Sequence, residues 1–272
     1  VNPDIHHVQV RPGPVAGVHA VLTHSARGFG RHWHDGFGFG VMDEGAHRSA
    51  SGRGPVLVSA GQVITTNPGE VHDGLPLGER ARRWRMLHVS PEAMAALADG
   101  RPDQEITRPV LDDPLLRATI DRVFRCWTTQ GTGADGEGRR AEALTDACGL
   151  LMRRHGNHRP TDADGIDHAG LRRARERLLD DLEQPPGLDE LARLAGLSRF
   201  QLVRHFARAH GLPPFAWLQQ QRLGRARALI AGGMALSEAA LACGFADQSH
   251  LHRHFLRSFG FTPGAWRQAW LQ

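Results

Sequence analysis

The chain has 272 residues, long enough for two domains that each bury a core of their own. All 33 of its basic residues are arginine, and its three cysteines, Cys126, Cys148 and Cys243, are far apart, with none in a CxxC. That excludes a disulfide scaffold and leaves buried packing as their default role. No run approaches the roughly 18 apolar residues of a membrane span, and the N-terminus has no apolar signal segment. A soluble cytoplasmic protein with no membrane partner is expected.

The charge is divided unevenly. Residues 1–164 hold 19 arginines against 20 acids, whereas residues 165–272 hold 14 against 9. From Leu191 onward the count is 10 against 2, which is the footprint of a phosphate-binding surface.

Residues 1–100 are rich in Gly and Pro and carry short β-type runs at 15–23, 36–41, 56–58, 62–66 and 85–90. Many short strands at close intervals predict a small barrel or jelly roll. Between about 113 and 155 the period changes to helical. Leu116, Ile120, Val123, Phe124 and Trp127 share one stripe, and Leu144, Ala147, Cys148, Leu151 and Met152 share another. The Gly-rich stretch 131–138 separates the two. Such stripes must be buried, either on the barrel or against a second subunit. Residues 156–167 form a polar linker, which divides the chain into domains 1–155 and 168–272.

Beyond the linker the chain reads as almost all helix. A first helix runs over 168–184 and is closed by Pro185-Pro186. Then a sixteen-residue pattern, L-x-R-H-F-x-R-x-x-G-x-x-P-x-A-W, occurs at Leu202–Trp217 and again at Leu251–Trp266. Each copy follows a shorter apolar helix that ends in a Gly turn, at Gly196 and Gly244, the outline of a helix-turn-helix. Ser198 and Asp247 are expected to cap the two recognition helices, and Ser237 the second support helix. A connecting helix of ~18 residues from Pro214, at ~1.5 Å per residue, spans roughly 27 Å and can hold two reading heads about one DNA turn apart. Helical phase turns Leu202, Phe206, Leu251 and Phe255 inward. The outward faces then present Arg199, Phe200, Val203, Arg204 and Arg208 on the first helix, and Gln248, Ser249, His252, Arg253 and Arg257 on the second. Arginine matches guanine edges or phosphate, so these ten are the candidate DNA-binding residues.

From Leu188 to Trp266 the chain resembles the AraC/XylS transcriptional regulators, on LDELARLAGLSRFQLVRHFARAHGLPPFAWLQQQRLGRARALI and LSEAALACGFADQSHLHRHFLRSFGFTPGAWRQ. The resemblance implies a seven-helix DNA-binding domain and an activator that acts on double-stranded DNA. It also implies a homodimer, with RNA polymerase as a further partner, and a small-molecule effector in an N-terminal cupin-like domain. It places base reading on Phe200, Val203, Arg204, Gln248, Ser249, His252 and Arg253.

Arg31-His32-Trp33-His34-Asp35 and Pro68-Gly69-Glu70-Val71-His72 look like the two half-motifs of a cupin barrel. Alternating histidines on a strand face one side, so His32 and His34 can converge with His72. The positions where metal-binding cupins carry a glutamate fall on Gly38 and Phe39. Two readings stay open. His32, Trp33, His34, His72 and Trp84 line an effector pocket for a polar or anionic molecule, or the three histidines alone hold a metal. No cofactor and no catalytic residues are expected. A second cluster, His250, His252 and His254, lies on the second recognition helix and has no third ligand of fitting spacing. The expected function is a sequence-specific, effector-controlled transcription factor. The alternatives are a metal sensor or metal-dependent cupin enzyme with a DNA-binding tail, and a ligand-independent architectural protein.

Overall fold

Side-chain alternation in the N-terminal half sends each strand's residues to two faces, and in the central strands over 18–25 and 37–44 both faces become buried. The strands in chain order are β1 (His6–Pro12), β2 (Val18–Ser25), β3 (Phe29–His32), β4 (Phe37–Glu44), β5 (Ala46–Ser51) and β6 (Gly54–Ser59). They continue with β7 (Val63–Thr66), β8 (His72–Pro76) and β9 (Arg82–Val89). Helix α1 (Pro91–Ala98) follows, then β10 (Gln104–Ile106), β11 (Val110–Leu111), α2 (Pro114–Thr128), α3 (Ala134–His155) and β12 (Gly156–His158). These elements come from a computed structural model, which describes residues 5–51, 54–78, 80–98, 104–128, 134–158 and 168–271. Two compact units emerge, Val1–Pro160 and Thr161–Gln272.

In the first unit a six-stranded antiparallel sheet, ordered β1-β2-β9-β4-β7-β11, faces a four-stranded sheet ordered β3-β8-β5-β6. The outer face of the larger sheet presents Val18, Ala20, Phe37, Phe39, Val41, Leu87 and Val89. Against it lie Leu116, Ile120, Val123 and Phe124 of α2 and Leu144, Ala147, Cys148 and Leu151 of α3. Burying each large apolar side chain there stabilises by about 1.5–3 kcal/mol. The helix stripes are therefore buried within this chain, on the barrel. Arg85 pins the junction, bonding Asp43 on β4 and Asp121 on α2 at 2.6 and 2.8 Å. Asp113 accepts from the Leu115 and Leu116 amides at the start of α2, and from His155 Nε2 at 2.8 Å at the end of α3.

The predicted strand runs fall on β2, β4, β6, β7 and β9. Strands β3, β5 and β8 escape the sequence pattern because their inward residues include His, Ser and Gly instead of Val or Ile, whereas β1 was missed although Val8 and Val10 lie on its half-buried side. Three expected boundaries move. Residues 156–158, assigned to the linker, form β12 and pair with β10. The stretch 131–138 is not all loop, because α3 begins at Ala134. The first helix after the linker stops at Asp180, where the Asp181 carboxylate accepts from the Glu183 and Gln184 amides.

The described residues of the second unit form seven helices, α4 (His168–Asp180), α5 (Leu188–Ala195), α6 (Arg199–His210), α7 (Pro214–Ala231), α8 (Leu236–Ala242), α9 (Gln248–Phe259) and α10 (Pro263–Trp270). Ser198 caps α6 in a reciprocal capping box with Gln201, and Gly211 ends the helix with φ 76°. Asp247 caps α9 through the His250 amide, and Gly260 ends it with φ 77°. Ser237 does not cap α8: the helix starts one residue earlier, with Ala235 at the cap position and no side-chain bond there. No helix among the described residues is long and apolar enough to cross a membrane.

Candidate DNA-reading face and barrel interior

The repeated pattern separates into residues that build the fold and residues that do not. Leu202, Phe206, Leu251 and Phe255 are fully buried, and Gly211 and Gly260 supply left-handed helix ends. Pro214 and Pro263 open the next helices. Trp217 packs on Phe206 at 5.8 Å, and Trp266 stacks on Phe261 at 5.8 Å while its Nε1 donates to the Arg227 carbonyl. What remains of the pattern on the surface is an alanine in each copy, Ala216 and Ala265, and an arginine pair in each, Arg204 and Arg208 on α6, Arg253 and Arg257 on α9, all exposed.

The other sequence candidates lie beside them. Phe200 is 73% exposed, an unusual position for a phenyl ring, with the Arg204 guanidinium 5.6 Å from its centroid. Val203 is half-buried, whereas Gln248, Ser249 and His252 are exposed. Arg199 is exposed but engaged, forming a forked ion pair with Asp189 of α5. His250 and His254 are partly drawn inward, their rings 5.5 and 6.2 Å from Phe245, which makes them packing residues of α9. The mouth of α9 therefore offers hydrogen-bonding side chains, and that of α6 offers a cation held over an aromatic ring.

The barrel interior is polar in layers. Strand pairing aligns His19, His88, Gly38 and Thr66 in one row of the larger sheet, and Val21, Met86, Gly40 and Ile64 in the next. Thr23, Trp84 and Met42 follow, then Ser25 and Arg82. At the first row His32, His34 and His72 converge, with one ligand atom of each within 4.8 Å of the others. His32 and His72 are direct cross-strand partners. The Nδ1 atoms of His32 and His72 hydrogen-bond the Gly30 and Glu70 carbonyls at 2.7 and 2.8 Å, which aims each Nε2 the other way. Burial holds the pKa of His72 below its usual range, favouring the neutral imidazole. His34 also meets His88 at 4.5 Å, and His88 stacks on His19 at 4.9 Å. Gly38 faces this row, and a Cβ there would collide with Thr66 Oγ1, so the site has three imidazoles and no room for a carboxylate from that position.

Trp33 is buried. Trp84 does not join the three histidines. It stands four residues from His88 along β9, roughly 13 Å away, in a cluster with Phe29, His47 and Arg82. The sequence reading missed His19, His47, Arg82 and His88. The available signal was alternation: counting by twos from Trp84 reaches Arg82 and His88, but the predicted strand began too late to include Arg82.

Residues 18–150 match the family described as AraC-like ligand binding domain, and residues 191–269 match a helix-turn-helix domain. The chain belongs to the AraC family of transcriptional regulators. It is similar to the HTH-type transcriptional regulator YbfI of Bacillus subtilis, 23% identical over 232 residues, covering 82% of this chain and 81% of that protein. It is also similar to the regulatory protein PchR of Pseudomonas aeruginosa, 25% identical over 161 residues, 56% of this chain and 54% of PchR. Among solved structures, apo ToxT from Vibrio cholerae shares the fold at TM-score 0.58 and 12% identity, over 95% of this chain and 99% of ToxT. Fatty-acid-bound ToxT gives TM-score 0.51 at 10% identity, over 97% and 94% of the two chains. In this AraC-family chain the histidine-lined barrel lies within the ligand-binding match, and both arginine pairs lie within the helix-turn-helix match. The family is not enzymatic, which removes the cupin-enzyme alternative.

Proposed function

We propose that this AraC-family regulator reads two successive stretches of major groove with α6 and α9, and that a small molecule held inside the barrel controls it. The observation that carries DNA reading is the exposed arginine pair kept in both copies, which packing of the repeat does not require. Arg204, Arg253, Gln248, Ser249 and His252 are assigned to base edges, with Phe200 and Val203 supplying apolar contacts to thymine methyls. Arg208 and Arg257 are assigned to phosphate, and Arg199 to phosphate in exchange for Asp189. The effector reading is supported by a barrel interior lined with imidazoles, hydroxyls and a guanidinium, an unusual filling for a purely structural core. ToxT, of the same fold, is described bound to an unsaturated fatty acid. A domain division in the polar stretch that follows β12 is part of the proposal, and action as an activator, a homodimer and contact with RNA polymerase complete it, resting on family resemblance. Because the α2 and α3 stripes are buried on the barrel, a dimer must use other surfaces. The test is binding of the full chain to an operator recovered from a random duplex pool, with and without barrel ligands, beside a promoter-reporter assay. Ligands that bind the barrel and leave both readouts unchanged would remove effector control.

A second reading is carried by the convergence of His32, His34 and His72. Three imidazoles suit zinc, copper, nickel or ferrous iron and leave a position open, so the regulator would sense a metal or a metal-bound ligand. Zinc stoichiometry of the full chain, measured against His32→Ala, decides it: binding that the variant does not lower refutes this reading.

A further inference from the structure

We propose that the barrel holds its effector through a carboxylate, at a site built on Arg82 of β9 and bordered by His47 of β5 and Gly74 of β8. This rests on the reading of the barrel as the effector site and names the chemical class. Arg82 is 1% exposed, the largest of the fully buried side chains. Its Nη2 donates to the Arg27 and Gly74 carbonyls at 2.6 and 3.0 Å, which fixes the guanidinium plane. The Nε and Nη1 groups have no hydrogen-bond partner among the described residues. Burial pushes the pKa of Arg82 down to about 10, so it stays a cation at neutral pH. Among the described residues no acid pairs with it, and the rings of Trp84 and Phe29 lie 5.0 and 5.9 Å from its central carbon.

A buried guanidinium whose Nε and Nη1 carry idle N–H donors is costly, and a carboxylate oxygen accepting from Nη1 satisfies one of them while balancing the charge. The structure leaves room for one. A Cβ built on Gly74 would touch nothing within 4 Å except Nη1 of Arg82, at 4.0 Å, so the space before that glycine adjoins the free edge of the guanidinium. His47, 6% exposed, adds an Nδ1 that also lacks a hydrogen-bond partner. Trp84 in turn borders a groove of about 770 Å³ along β1, β2 and β9, which brings the cluster close to an open surface. The aromatic rings around the cation favour an acid with an apolar or aromatic body.

The experiment titrates the full chain with acetate, hexanoate and benzoate, each against its own primary amide at matched ionic strength, and follows thermal unfolding. At least one acid should raise the transition while its amide does not. Arg82→Gln should weaken that acid tenfold or more. Since Arg82 also bonds two carbonyls, that variant can fail to fold, and Gly74→Ala then decides. Its methyl enters open space and blocks the approach of an oxygen that must come within ~2.9 Å of Nη1. Equal responses to acid and amide in all three pairs up to 50 mM overturn the proposal, as does an acid response that Gly74→Ala leaves unchanged. DNA binding, measured in the same samples, separates this proposal from the one beneath it. An acid that binds through Arg82 without moving DNA affinity upholds the site and refutes effector control. A neutral molecule that moves DNA affinity while no acid binds upholds effector control and refutes the site.

Discussion

Replacing Arg253 by alanine isolates what the exposed arginines do. The side chain lies on the outer face of α9, and among the described residues it has no ion pair. Leu251 and Phe255 seal the helix from beneath without it. Its loss should leave folding stability within about 0.5 kcal/mol of the parent. The DNA term is larger. A bidentate contact to guanine contributes about 1–3 kcal/mol of discrimination, which is roughly 5- to 150-fold in Kd on the selected operator. A phosphate contact gives a different signature: the loss is equal on operator and scrambled duplex, and the slope of log affinity against log salt shrinks by about 0.9. Anisotropy titrations of both duplexes at four salt concentrations separate the two cases. The base-reading assignment expects a loss confined to the operator, with an unchanged salt slope. An unchanged Kd and slope on both duplexes, in a variant with the parent's unfolding curve, would refute placement of α9 in the groove.

Other expectations are as direct. Phe206→Ala and Phe255→Ala, at equivalent sealed positions, should each cost about 3–5 kcal/mol in chemical unfolding of residues 165–272; a cost below 1 kcal/mol would contradict the packing. That fragment, cut after Asp164, is expected to fold and bind DNA alone, and an unfolded fragment by circular dichroism would overturn the proposed division. His47 has its pKa lowered to about 4, first by burial and then by the charges of Arg82 and His72. The unfolded chain therefore takes the proton first, and stability falls as pH drops from 6.5 toward 4, by up to roughly 3 kcal/mol at ~1.4 kcal/mol per unit. His47→Gln should flatten that part of the pH profile, and identical slopes for parent and variant in urea unfolding would refute it. Asp113 runs on a different window. Burial raises its pKa, but the Leu116 amide, His155 and Arg154 outweigh it and hold the carboxylate low. Its contribution is present above the ordinary aspartate range and lost only as pH falls below it, so Asp113→Ala should destabilise most near neutrality.

The helical half was legible because its sequence obeys one rule throughout. Apolar residues at helical spacing are the buried ones, and Ser198, Gly211, Asp247 and Thr262 stand where caps are needed, so pattern and fold agree. Ser237 misled, because a cap-type residue one position inside a helix looks the same in sequence as one at its start, and Pro185-Pro186 set the end of the first helix four residues too late. The strands that pack on helices were legible for the same reason: Phe37, Phe39 and Val41, or Leu87 and Val89, alternate toward an apolar neighbour. The barrel interior follows no such rule. Its inward positions mix Val21, Met42 and Met86 with His19, Thr23, Ser25, His47, Arg82 and His88, and a pattern reading assigns the last six to solvent, so β5 and the start of β9 went unseen. A fold tolerates this many buried polar groups only where something other than packing sets the choice of residue. Four of those six polar positions carry a titratable nitrogen, and at Arg82 two donor nitrogens remain unmatched among the described residues. The place where the sequence could not be read as a core is, on this argument, the place where a ligand completes one.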